Sequence, residues 1–204
     1  MKEEFYTRGR WLNWTNMIKE SDFRLPDSEE GDDTKEGDVS IFVNIMDDIV
    51  LACLKIIARF ERNYISKEDA LSEIGHIREI ISERNEPLGE DADIMLDSLK
   101  TSLSAVFMSC ERYIEGDYDR QTNISSFVER AAMAEKNGEI DQVMSLLSEI
   151  GARVISGEPL PDESMDNLPY CIVAELLDGI DAISAAMVGD DSYKEDDGTH
   201  AEDF

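Results

Sequence analysis

From residue 39 onward the apolar residues return every three or four positions and show no sustained alternation in twos. Ile41, Ile45, Ile49, Cys53, Ile56 and Phe60 form one such stripe and predict a helix near 39–64. Phe42, Val50, Leu54 and Ile57 widen that stripe beyond a single face, which predicts a central helix buried on more than one side. Ser66-Lys-Glu-Asp69 has the spacing of a capping box and opens a third helix carrying Ala70, Ile74, Ile77 and Ile81. A fourth helix spans about 92–115 with Leu96, Leu99, Leu103, Val106 and Cys110 inward, and Gly116 is suited to end it. Ser126-Phe-Val-Glu129 reads as a second capping box opening a helix to about Lys136. Val143, Leu147, Ile150 and Val154 mark the next. The last starts near Asn167-Leu-Pro169, a favourable cap and first-turn pair, and buries Leu176, Ile180 and Ile183 before Gly189. The expected fold is all-α: a bundle of about six or seven helices around the second, fourth and last, with short connections that favour antiparallel neighbours.

Residues 1–25 differ in character. They hold both tryptophans, Trp11 and Trp14, and five Lys/Arg against four acids. Trp11, Trp14 and Ile18 share one face of a helix near 5–21. Residues 26–38 and 190–204 each carry seven acids and one lysine and have little with which to build a core, so they read as an acidic flexible linker and a disordered acidic tail. The expected organisation is an N-terminal aromatic and basic helix (1–25), the linker (26–38), the helical bundle (39–189) and the tail (190–204).

Charge then narrows the function classes. The chain of 204 residues has 47 Asp/Glu against 19 Lys/Arg, a formal net charge of −28. A field of that sign repels phosphates, so nucleic acid is an expected partner only through residues 1–25. The most apolar run, 49–58, is interrupted by Lys55 and is too short to cross a bilayer, and the N-terminus has no apolar signal core. Cys53, Cys110 and Cys171 lack any C-x-x-C spacing and read as free, buried thiols of a reducing cytoplasm.

Phosphate-loop glycine motifs and the G-x-S-x-G nucleophile elbow are absent. Glu73-x-x-His76 has the spacing used in di-iron bundles, but a second such motif is missing because the only other histidine, His200, lies in the tail. Asp117-Tyr-Asp119 begins like a calcium loop and then lacks the turn glycine and the closing glutamate. A carboxylate Mg²⁺ site from Asp47, Asp48, Glu175 and Asp178 has suitable oxygen ligands, although one E-x-x-E half and a phosphate-holding cation cluster are not evident. No cofactor is expected. Arg8, Arg10, Trp11 and Trp14 combine the residue types that dominate binding hot spots, and they are the candidate partner contact; the alternative is that the tryptophans dock on the bundle.

Three segments, FYTRGRWLNW, NIMDDIVLACLKIIARFERNYISKEDALSEIGHIREII and DSLKTSLSAVFMSCERYIEG, resemble an archaeal family of small acidic helical proteins, domain of unknown function 2150. The resemblance spans roughly 5–116 outside the linker and implies an archaeal origin and no particular chemistry. Taken together, the residues lead to a non-enzymatic helical interaction or regulatory protein of the archaeal cytoplasm, meeting a protein partner or itself. The alternatives are a Mg²⁺-dependent all-α nucleotide hydrolase and an RNA- or ribosome-associated protein.

Overall fold

A computed structural model describes residues 4–25, 39–83, 86–161 and 171–188. The described residues form seven helices and no strand: α1 (Arg8–Ser21), α2 (Ser40–Glu61), α3 (Lys67–Ser82), α4 (Glu90–Glu115), α5 (Ile124–Lys136), α6 (Ile140–Ile155) and α7 (Ile172–Val188). The expected all-α bundle is therefore present. The expected linker, the expected tail and the expected helix start near Asn167 lie outside the described residues.

Local chemistry accounts for most helix ends. The Ser66 hydroxyl accepts the Asp69 N–H at 3.0 Å and lies 3.0 Å from the Asp69 carboxylate, so Ser66 caps α3 with the serine half of the expected capping box. Gly116 closes α4 with φ 79°, a conformation that a Cβ disfavours, and its N–H returns to the carbonyls of Arg112 and Tyr113. Two starts differ from expectation. Thr7 caps α1 by accepting the Arg10 N–H at 3.1 Å, so the helix begins at Arg8 rather than near residue 5. At α5 the cap is Asn123, whose side-chain oxygen accepts the Ser125 N–H at 2.9 Å, so the helix begins ahead of Ser126. An Asn cap satisfies the first free amides as well as a serine does.

α4 lies at the centre, packed against α2, α3, α6 and α7. Its buried residues include Leu96, Leu99, Leu103, Val106 and Cys110, the expected stripe. It also buries Ser102 and Ser109, two small residues seven apart and so on one face. Each faces a glycine. A Cβ on Gly179 of α7 would lie 2.1 Å from the Ser102 carbonyl oxygen, and one on Gly151 of α6 would lie 1.8 Å from the Ser109 hydroxyl. The backbones approach where side chains are missing, and α4 holds both neighbours close for that reason.

Two polar ties fix α5, α6 and α7 to one another. The first two amides of α7, on Ile172 and Val173, donate to the two carboxylate oxygens of Glu135 on α5 at 2.8 and 3.2 Å. A carboxylate there also meets the positive end of the helix dipole. Arg153 of α6 is buried; it grips Glu158 with Nε at 2.8 Å and Nη2 at 2.5 Å, and its Nη1 donates to the Thr122 carbonyl. That guanidinium joins the end of α6 to the loop ahead of α5.

Candidate functional site

The N-terminal segment packs on the bundle through its aromatic side. Tyr6, Trp11, Ile18 and Phe23 are buried, and the Phe23 ring meets Phe42 of α2 edge-on at 5.0 Å between centroids. Burial of rings this large supplies most of the docking energy. Position is set by one carboxylate. Asp48, only 11% exposed, accepts the Trp14 indole N–H at 2.8 Å and the Arg10 guanidinium. The Arg10 guanidinium also lies 5.4 Å from the Tyr6 ring centroid. The Tyr6 hydroxyl is buried, with the Asp48 carboxylate close by. Burial first, then the Asp48 charge, pushes its ionisation well above the ordinary range, so it stays a neutral phenol. On the other side of α1, the Lys100 ammonium lies 5.9 Å from the Trp11 ring centroid; desolvation lowers its pKa while Asp97 and Asp93 oppose the shift.

Asp48→Ala should therefore loosen α1 from α2. It strands two donors that a charged acceptor now satisfies, and the expected cost is about 2 kcal/mol of stability. Both tryptophans of the chain sit in α1, so a red shift of tryptophan emission reads the change directly. Unaltered emission with unaltered stability would show that Asp48 does not position this helix.

One long side of α1 stays open. Arg8, Trp11, Leu12, Thr15, Asn16 and Lys19 follow i, i+3, i+4, i+7, i+8, i+11 and line one wall of a groove of about 410 Å³. Glu83, Glu86 and Leu88, from the connection between α3 and α4, line the other wall. Ion pairs bridge it at both ends: Arg8 to Glu83 at 2.5 Å and Lys19 to Glu86 at 3.5 Å. All four of these side chains are largely solvated, so the pairs hold little energy and can be exchanged. Leu12 is 56% exposed at the rim. Volume and lining fall within the range of ligand and side-chain binding clefts.

The candidate contact residues thus fall in two places. Arg8 and Trp11 line the groove, Trp11 mostly as its floor, whereas Arg10 and Trp14 face α2 and hold Asp48. The four carboxylates considered for Mg²⁺ point to different helices or to solvent. Asp48 engages α1, Asp47 is exposed, and Glu175 accepts the Ser98 hydroxyl of α4 at 3.2 Å. Asp178 is also exposed, and its pKa is raised first by partial desolvation and then by the charges of Asp181 and Glu175. Among the described residues no group of three or more His, Cys, Asp or Glu is placed to hold a metal ion. His76 faces Glu4 at 3.9 Å. Asp119 spends its oxygens locally on the Thr122 hydroxyl and the Gln121 and Thr122 amides, which hold its pKa down to about 2. The Cys53 thiol, fully buried between α2 and α4, is kept protonated by its hydrogen bond with the free thiol of Cys110 and by burial. A neutral buried thiol is a poor nucleophile and metal ligand.

Sequence reasoning missed the far wall of the groove. The stripe on α1 was readable from its spacing, but Glu83, Glu86 and Leu88 lie more than sixty residues further along the chain and carry no motif. Comparison with known proteins then decides the relationship: residues 4–196 match the family described as an uncharacterized protein conserved in archaea, DUF2150. The chain belongs to this family. The match runs well beyond residue 116 and takes in every helix of the bundle. No curated protein and no solved structure matches it. Membership of DUF2150 places both walls of the groove inside the family's span and carries no reaction with it. Among the described residues no helix is long and apolar enough to cross a membrane.

Proposed function

We propose that this DUF2150 protein is a non-enzymatic helical interaction protein of the archaeal cytoplasm, which engages a protein partner along the open side of α1. The observation that carries this reading is the groove itself: an apolar floor of Trp11 and Leu88, an exposed Leu12 at the rim, and exchangeable ion pairs at each end. Such a mixture of aromatic anchor and polar rim is the usual anatomy of a protein contact. The surrounding chemistry supports binding rather than turnover. The carboxylates considered for Mg²⁺ are individually occupied or solvated, and the Cys53 thiol buried between α2 and α4 is kept protonated. The cytoplasmic part of the proposal rests on those same free thiols.

The test is site-specific crosslinking in an archaeal host. A photoreactive residue at position 12 or 16 is expected to capture a defined protein, while the same residue at exposed position 133 on α5 does not. Equal capture at all three positions, or none at 12 and 16, would count decisively against the groove as the contact.

A further inference from the structure

We infer that the occupant of the α1 groove is a basic amphipathic helix of a partner protein; this rests on the groove being the contact proposed above. Three observations give the occupant its chemistry. The first is shape. The wall contributed by α1 is one continuous helical stripe from Arg8 to Lys19, about 16 Å long at 1.5 Å per residue. A groove walled on one side by three turns of helix suits a second helix laid along it, with apolar side chains at i, i+3 or i+4 and i+7 reaching the floor.

The second is the floor. Trp11, Leu12 and Leu88 give the 410 Å³ space an apolar centre, while polar groups stand at its two ends. An occupant therefore needs one apolar face rather than a polar head group alone. The third is charge. A net charge of −28 draws cations toward the whole surface and repels anions. Among the described residues that line the groove two bases meet two acids, and the acids are reachable. Glu86 is 87% exposed and meets Lys19 at 3.5 Å. A lysine or arginine from the partner can take Glu83 or Glu86 while Arg8 and Lys19 turn to solvent. An acidic helix would have to displace those glutamates against the field of the protein.

The experiment uses the full chain and a synthetic Lys/Leu peptide of about 15 residues patterned as an amphipathic helix. Its comparators are a Glu/Leu peptide of the same pattern and a scrambled Lys/Leu peptide. Tryptophan emission, which arises only from α1, and isothermal titration follow binding. The expected result is saturable binding of the patterned basic peptide with a change in emission. Leu12→Glu should weaken it about tenfold, as loss of an apolar rim contact does. Leu12→Glu also makes the protein more acidic, so general attraction would strengthen rather than weaken the complex. Met133→Glu, which adds the same charge on α5, should leave affinity unchanged or slightly raised. Equal binding of the scrambled peptide, unimpaired binding by Leu12→Glu, or preference for the Glu/Leu peptide would each overturn the inference. Crosslinking from position 12 to an acidic or neutral partner would do the same while leaving the groove as the contact. Failure of the crosslinking itself would remove the contact.

Discussion

Among the described glycines, Gly179→Ala is expected to be the most damaging alanine substitution. Its Cβ would stand 2.1 Å from the carbonyl oxygen and 2.9 Å from the carbonyl carbon of Ser102. A side chain can rotate out of such a collision, but a backbone carbonyl in mid-helix cannot, so α7 has to move away from α4. Overpacking of a tight core costs about 1–3 kcal/mol, and a clash with backbone belongs at the upper end. The gain of roughly 1 kcal/mol in helix propensity over glycine does not offset it. Chemical denaturation should show a lower midpoint for Gly179→Ala. Gly75→Ala on α3, where an added Cβ meets nothing within 4 Å, should instead be neutral or stabilising. Gly151→Ala meets side-chain atoms of Ser109, so Ser109→Gly should partly rescue it; no change of the side chain at 102 should rescue Gly179→Ala. A Gly179→Ala protein as stable as the wild type would mean that the α4–α7 approach is looser than described.

Arg153→Met should cost about 3 kcal/mol through a different route. The arginine side chain is 6% exposed and makes a two-pronged contact with Glu158 besides its bond to the Thr122 carbonyl. Methionine preserves most of the stem and removes every donor. Breaking one side of a buried pair costs about 3–5 kcal/mol because the remaining charge is left unpaired. Glu158 is 40% exposed and can rehydrate in part, which favours the lower figure. Arg153→Lys should recover only a fraction, since an ammonium cannot reproduce the two-pronged grip. Equilibrium unfolding of the single variants and of Arg153→Met with Glu158→Gln measures the coupling. A loss below about 1 kcal/mol would show that water replaces the guanidinium without penalty.

Much of this architecture was legible because helices announce themselves by spacing. The stripes of Ile45, Ile49 and Cys53 on α2 and of Leu103, Val106 and Cys110 on α4 needed only the 3.6-residue period, and both are buried. Gly151 and Gly179 carried the opposite message in the sequence, where a glycine inside a helical pattern lowers its propensity. Their purpose depends on Ser109 and Ser102, from a helix elsewhere in the chain. Arg153 was hidden in the same way. It sits among Ile150, Val154 and Ile155 on the buried side of α6, and nothing local distinguishes it from a solvated arginine. The mixed composition of residues 1–25 pointed to a special surface, but it could not divide Arg8 and Trp11 from Arg10 and Trp14. That division depends on Asp48 of α2, whose partners lie 34 and 38 residues earlier. Periodicity reports a residue's own helix; which neighbour that helix meets is written in the packing.

The clasp of Glu135 on the leading amides of α7 makes two helices depend on one side chain. The first amides of α7 are held by a carboxylate that lies 37 and 38 residues earlier in the chain, on α5. A change at Glu135 would therefore be felt at the start of a helix whose far side is seated on α4, where Gly179 meets Ser102.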